Sequence, residues 1–161
     1  MRRSLWVRCT LLLVGLVLPF ALAAAGRAAG TVSGLYRFSG KDAPLAHLVL
    51  VPHDDYDHQK AVTLVMTEKD ASAAEDPAED AERGAYGAAL VVTVQPNGDV
   101  IECYVGHPTL KRPIASLGVL HAQGFHWANG AVSGKLTTGG KHDLLYGNTW
   151  EADLDVSGKL P

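Results

Sequence analysis

The chain has 161 residues, 47% of them hydrophobic and 19% charged, with a formal net charge of −3. That length suits one domain with a packed core of its own. The acidic balance excludes the basic patches by which proteins hold nucleic acid or anionic membrane surfaces, so neither is expected as a partner.

The first 25 residues have a composition of their own. Arg2, Arg3 and Arg8 precede the apolar run 11–18, and Pro19 breaks it. Ala21-Leu22-Ala23 and Ala23-Ala24-Ala25 each offer a small-x-small cleavage site. This is the layout of a secretory signal peptide, and it is too short and interrupted for a spanning helix. The expectation is an exported, periplasmic or extracellular protein of bacterial type, with 1–25 a signal peptide and no membrane span in the mature chain. Cleavage there removes three arginines and leaves 136 residues carrying a formal charge of −6. It also removes Cys9, so Cys103 has no cysteine left to pair with and stability must come from packing.

The mature part, 26–161, reads as a single β domain. Segment 31–38 alternates in the manner of a strand. Segment 45–51 is a continuous apolar run ended by Pro52, and 61–67 is another strand, so the two form a hairpin across a polar link. Segment 68–87 differs, with seven acidic residues against Lys69 and Arg83. Within it Asp76 can cap a short helix over 77–83, Pro77 suits the first helical position, Glu79 can reach back to the cap and Gly84 can end the turn. The segment reads as a mobile acidic excursion whose residues 71–83 are dispensable for folding.

Strands are expected next at 88–95 and 100–105, joined by the turn Asn97-Gly98. A loop follows over 107–116, where Pro108 and Pro113 exclude regular pairing. Further strands fall at 117–121, 125–128 and 131–137, with Asn129-Gly130 a second hairpin turn. After 142–146, the stretch 149–156 alternates Trp150, Ala152, Leu154 and Val156 with Glu151, Asp153 and Asp155. Such spacing predicts an all-β, two-layer antiparallel β-sandwich with one short helix in the acidic segment, and a barrel as second choice. Val-Ser-Gly-Lys-Leu occurs at 132–136 and again at 156–160. Its flanks do not match, so it reads as shared strand chemistry rather than duplication.

The stretches Gly134-Lys135-Leu136-Thr137-Thr138-Gly139, Trp150-Glu151-Ala152-Asp153-Leu154 and Lys159-Leu160-Pro161 resemble a group of small exported bacterial β-rich proteins of unknown function. The resemblance covers about a third of the mature chain. It implies export and a β fold, and it carries no functional residues.

The densest chemistry lies in the link between 45–51 and 61–67. His53, Asp54, Asp55, Asp57 and His58 put two imidazoles and three carboxylates within six positions, with His47 on the strand before them. Imidazole with carboxylate suits a divalent metal such as zinc or copper. The spacing matches no established metal signature, and a solvated hairpin link explains the same residues. His121 and His126 lack the close spacing of a ligand pair. Cys103 alternates with Ile101 and Val105 and is expected in the core. Trp127 and Trp150 offer either core packing or a sugar-stacking platform. Nucleophile-elbow, phosphate-loop, Cys-x-x-Cys and His-Glu-x-x-His patterns are all absent from the sequence. The sequence therefore favours a non-enzymatic exported protein that binds a protein partner or small ligand through its loops. Metal binding at His53–His58 is the alternative.

Overall fold

The structure is a computed structural model that describes residues 28–53 and 60–160. The expected signal peptide, 1–25, lies outside the described residues.

The chain builds one antiparallel sheet. Its long strands are β1 (Ala28–Phe38), β3 (His47–His53), β4 (Ala61–Thr67), β5 (Ala89–Val94), β6 (Val100–Gly106), β8 (His121–Ala128), β9 (Ala131–Thr137) and β11 (Thr149–Lys159). The two-residue strands β2 (Lys41–Asp42), β7 (Ile114–Ala115) and β10 (His142–Asp143) complete it. The order across the sheet is β7-β6-β5-β4-β3-β1-β11-β9-β8, with β2 attached to β1 and β10 to β11.

Alternation places one face of every long strand in a common core. Leu48 and Leu50 of β3, Val62, Leu64 and Met66 of β4, and Leu90, Val92 and Val94 of β5 lie on this face. So do Tyr36 and Phe38 of β1, Leu136 of β9, and Trp150, Ala152, Leu154 and Val156 of β11. All are buried. At about 1.5–3 kcal/mol for each fully buried large aliphatic side chain, this face is the main source of stability. The sheet curls around it as a half-barrel.

The all-β class is therefore as the sequence implied, but the strands are not divided between two separate sheets. β1 is the reason. Its first residues pair with β3 (Ala28↔Leu50 to Gly30↔Leu48), while Gly30 to Phe38 pair with β11. One strand thus joins the two halves and keeps the hydrogen-bond ladder continuous. The joint needs a glycine, because a Cβ on Gly30 would lie 2.6 Å from the Ser157 carbonyl oxygen and 2.8 Å from Leu48.

The recurring Val-Ser-Gly segments fall on neighbouring strands. Ser133 pairs with Ser157 between β9 and β11, and Val32 with Val156 between β1 and β11. They share a structural setting, side by side in the sheet.

Segment 68–87 is built into the fold. The β4–β5 ladder continues past Thr67↔Ala89, as Glu68 N–H donates to the Ala88 carbonyl and Lys69 N–H to that of Tyr86, both at 3.0 Å. Helix α1 (Pro77–Glu82) follows the expected capping, with Asp76 accepting from the Glu79 N–H at 3.0 Å and Pro77 in the first turn. The Glu79 carboxylate turns the other way, to Arg83, one helical turn on. Ala71 and Ala81 are fully buried against Val49, Val65, Ala89 and Val91 on the outer face of the sheet. The expected free excursion is instead packed on the sheet through this contact. Most of the acidic side chains face outward, though Glu82 is half-buried and Glu68 accepts from the Ala88 N–H, while Ala71, Ala74 and Ala81 are buried beneath them.

Three local expectations also change. The expected loop 107–116 contains β7, which pairs with β6 at Tyr104↔Ala115 and Val105↔Ile114. The expected strand 117–121 is instead a turn over 117–119, and the expected strand 125–128 starts earlier, as β8 from His121, carried through an irregularity at Gly124, whose φ is +57°. The two Asn-Gly turns differ. Asn129 and Gly130 both take positive φ, whereas in Asn97-Gly98 only the glycine does, and a register shift follows between Thr93 and Val94. No helix among the described residues is long and apolar enough to cross a membrane.

Candidate functional site

Strand direction sorts the loops to two ends of the half-barrel. At one end lie the close of β3, the start of β4 and the turns 95–99 and 128–131. At the other lie the β1–β2 turn, the start of β3 and segments 107–113 and 138–148.

His53 belongs to the first end. It is partly buried, and its Nδ1 lies 3.4 Å from Thr63 Oγ1. From there hydroxyls continue across the outer face, with Thr63 Oγ1 3.0 Å from Thr93 Oγ1, and Thr93 Oγ1 donating to Glu102 at 2.8 Å. Asp54, Asp55, Asp57 and His58 lie outside the described residues. Among the described residues no three metal-ligating side chains gather. His47 does not join His53, because it stands at the opposite end of β3, where it pairs with Thr67. Six residues of extended chain separate the two by about 20 Å.

The second end holds a cleft of about 560 Å³, lined by Thr109, Leu110, Lys111, Arg112, Tyr146 and Asn148. The volume falls in the range of small-molecule sites. Each wall is fixed from below. His107 stacks on Phe38, with ring centres 4.2 Å apart and planes 15° from parallel. Its Nδ1 accepts from the Thr109 N–H at 3.2 Å, and its carbonyl accepts from the Leu110 N–H at 2.9 Å. Partial burial holds the His107 imidazole below the usual histidine range, aided by Lys41 and opposed by Glu68. A neutral ring keeps the acceptor that Thr109 uses.

The opposite wall is a tight turn. Leu144 N–H donates to the Asn148 carbonyl at 2.7 Å, and Asn148 Nδ2 donates to the Leu145 carbonyl at 3.2 Å. Ser39 of the β1–β2 turn donates from Oγ to Asn148 Oδ1 at 2.9 Å. Tyr146 sits at φ 64°, ψ 27°, a left-handed conformation costly for a residue with a Cβ. Ser39 is left-handed too, so two of the three such non-glycine residues among those described meet here. Strain concentrated beside a cleft is a common mark of function.

The cleft is cationic and partly apolar. Lys111 and Arg112 contribute positive charge, and no acidic side chain among the described residues lines it. Arg112 Nη2 donates to the Tyr146 hydroxyl at 2.9 Å across the opening. Leu145 and Tyr146 are 62% and 73% exposed, among the most exposed large apolar side chains described. Thirty-odd positions separate the two walls along the chain, so these residues form no local motif. One signal was present, since Lys111-Arg112 is the only adjacent cation pair beyond Arg3 in an acidic chain.

The other singled-out residues fall elsewhere. Cys103 is buried in the core, and burial pushes its thiol up to about 12, so it is protonated and a poor nucleophile at neutral pH. Trp150 is a fully buried core residue while Trp127 packs on the edge of the core, so the two form no exposed platform. Asp153 pairs with Lys135 on the neighbouring strand at 2.7 Å. A smaller depression of about 390 Å³ lies between the 98–100 turn and the start of β8, lined in part by Leu117, His121 and Ala122.

Comparisons with protein-family models, curated proteins and solved structures give no match.

Proposed function

We propose that this chain is an exported, non-enzymatic binding protein that takes a small ligand through the loops at one end of its half-barrel. The cleft between Leu110–Arg112 and Tyr146–Asn148 carries the reading. It has the size of a ligand site, apolar and polar groups converge on it, and its walls are held by hydrogen bonds before any ligand arrives. The signal-peptide pattern of 1–25 supports export. The buried thiol of Cys103, and the lack of catalytic motifs in the sequence, support binding over catalysis.

The test is a small-molecule screen on the mature protein by two-dimensional NMR, with backbone shifts assigned at 109–112 and 146–148. Binders that move these resonances, and lose their effect in Tyr146→Ala, support the reading. Binders that move only other regions, or none from a broad library, overturn it.

A second reading is metal binding by His53, Asp54, Asp55, Asp57 and His58. The contact of His53 Nδ1 with Thr63 favours it, since metal-binding imidazoles are commonly oriented through their other nitrogen. Elemental analysis of untagged protein tests it. Stoichiometric zinc or copper that is lost in the His53→Ala/His58→Ala double variant supports this reading, and protein free of both metals overturns it.

A further inference from the structure

The cleft's chemistry narrows its ligand, on the footing that it is a ligand site at all. We infer that it takes a small organic carboxylate with a flat apolar body, the acid meeting Arg112 and Lys111 and the body lying along Tyr146 and Leu110.

The first ground is charge. Arg112 makes no ion pair among the described residues, and neither does Lys111. Arg37, Arg83 and Lys135 meet carboxylates elsewhere on the surface, whereas no carboxylate among the described residues lines this cleft. The second ground is geometry. Arg112 spends one donor on the Tyr146 hydroxyl, which leaves four of its five N–H groups. A guanidinium tethered at one nitrogen is oriented before the ligand arrives, and its planar fork matches a carboxylate. Lys111 adds a second, unoriented charge. The third ground is the body. The exposed Tyr146 ring, set in a left-handed turn, and the Leu110 side chain supply apolar surface beside the charge. A bare inorganic anion would leave this surface unused.

Titration calorimetry at low ionic strength with benzoate and its neutral isostere benzamide tests the inference, with acetate as a probe of the acid alone. Benzoate is expected to bind at least tenfold more tightly than benzamide or acetate. Arg112→Gln is expected to abolish the preference over benzamide, and Lys111→Gln to reduce it. Both positions are at the surface, so thermal melts should overlay those of the parent protein. Equal binding of benzoate and benzamide, with both lost in Tyr146→Ala, overturns the carboxylate assignment and leaves the cleft as a ligand site. Acetate binding as tightly as benzoate overturns the apolar body. A preference for benzoate that survives Arg112→Gln overturns the role of Arg112. If none of the three probes binds, the carboxylate assignment falls, and the NMR screen separately decides whether the cleft reading falls with it.

Discussion

The acidic stretch 68–87 and the two segments around the cleft, 107–113 and 138–148, are the polar, irregular parts of the molecule, and the fold treats them in opposite ways. The acidic stretch is a cover. Ala71 and Ala81 disappear against Val49, Val65, Ala89 and Val91, and most of the charges face solvent. The cleft segments touch the core through His107, Leu110 and Leu144, yet they hold Tyr146 in a costly conformation and leave it and Leu145 exposed. A dense run of charge is thus compatible with a purely structural role, while the better candidate for function has only two adjacent cations. What separates the regions is where the small apolar residues between the polar ones point.

The sharpest way to break that contrast is to remove the cover. Replacing residues 71–83 by a short Gly-Ser link uncovers three valines, each representing about 1.5–3 kcal/mol of burial. The expected loss is of order 5 kcal/mol, close to the whole stability of a small domain. Chemical denaturation followed by circular dichroism measures it, and an unchanged midpoint would return the segment to the status of a loop.

A finer probe is Gly106→Ala. A Cβ there would lie 2.4 Å from the Ala81 carbonyl oxygen, so the helix must lift from the sheet. About 1–3 kcal/mol of destabilisation is expected by the same assay.

Across the molecule the sign reverses. Tyr146→Gly relieves a left-handed residue and is expected to raise stability by up to about 1 kcal/mol while weakening ligand binding. A substitution that stabilises and disables together would mark the turn as shaped for use. Substantial destabilisation would place this turn with the cover.

The smallest effect is in pH. His107 is held below the usual histidine range, so the unfolded chain binds its proton more readily than the folded one. Its contribution is therefore complete above the unfolded value of about 6.5 and falls away as pH drops below it. Thermal melts from pH 7.5 to pH 5 should show a modest decline that is blunted in His107→Gln. A decline of equal size in the variant would assign it to other groups.

Much of the fold was legible in the chain because strand chemistry is local. Alternation at 149–156 marked the buried face of β11, and the capping residues Asp76 and Pro77 placed α1 to within a residue. The continuity of the sheet was not legible, since it depends on β1 pairing with β3 and β11 at once. Nor was the packing of 68–87, although Ala71, Ala74, Ala78 and Ala81 recur at helix-like spacing between the acids. Net charge concealed that pattern. For the site, the sequence offered His53 and its neighbours, a cluster contiguous along the chain. The cleft is assembled from segments more than thirty residues apart, and only pairing through Ser39, Asn148 and Arg112 brings them together.

The pairing of β1 with β11 also sets an order of events. These are the first and last strands of the described chain, and they match from Gly30↔Gly158 to Phe38↔Trp150. During synthesis β1 emerges early and has only the short β2 and a few residues of β3 to pair with until β11 exists. The ladder at the centre of the sheet closes a loop of more than a hundred residues, a slow step for any chain. Folding cannot finish until Lys159 has been made. A chain that waits this long for its last strand keeps the central ladder of its sheet open until synthesis is nearly complete.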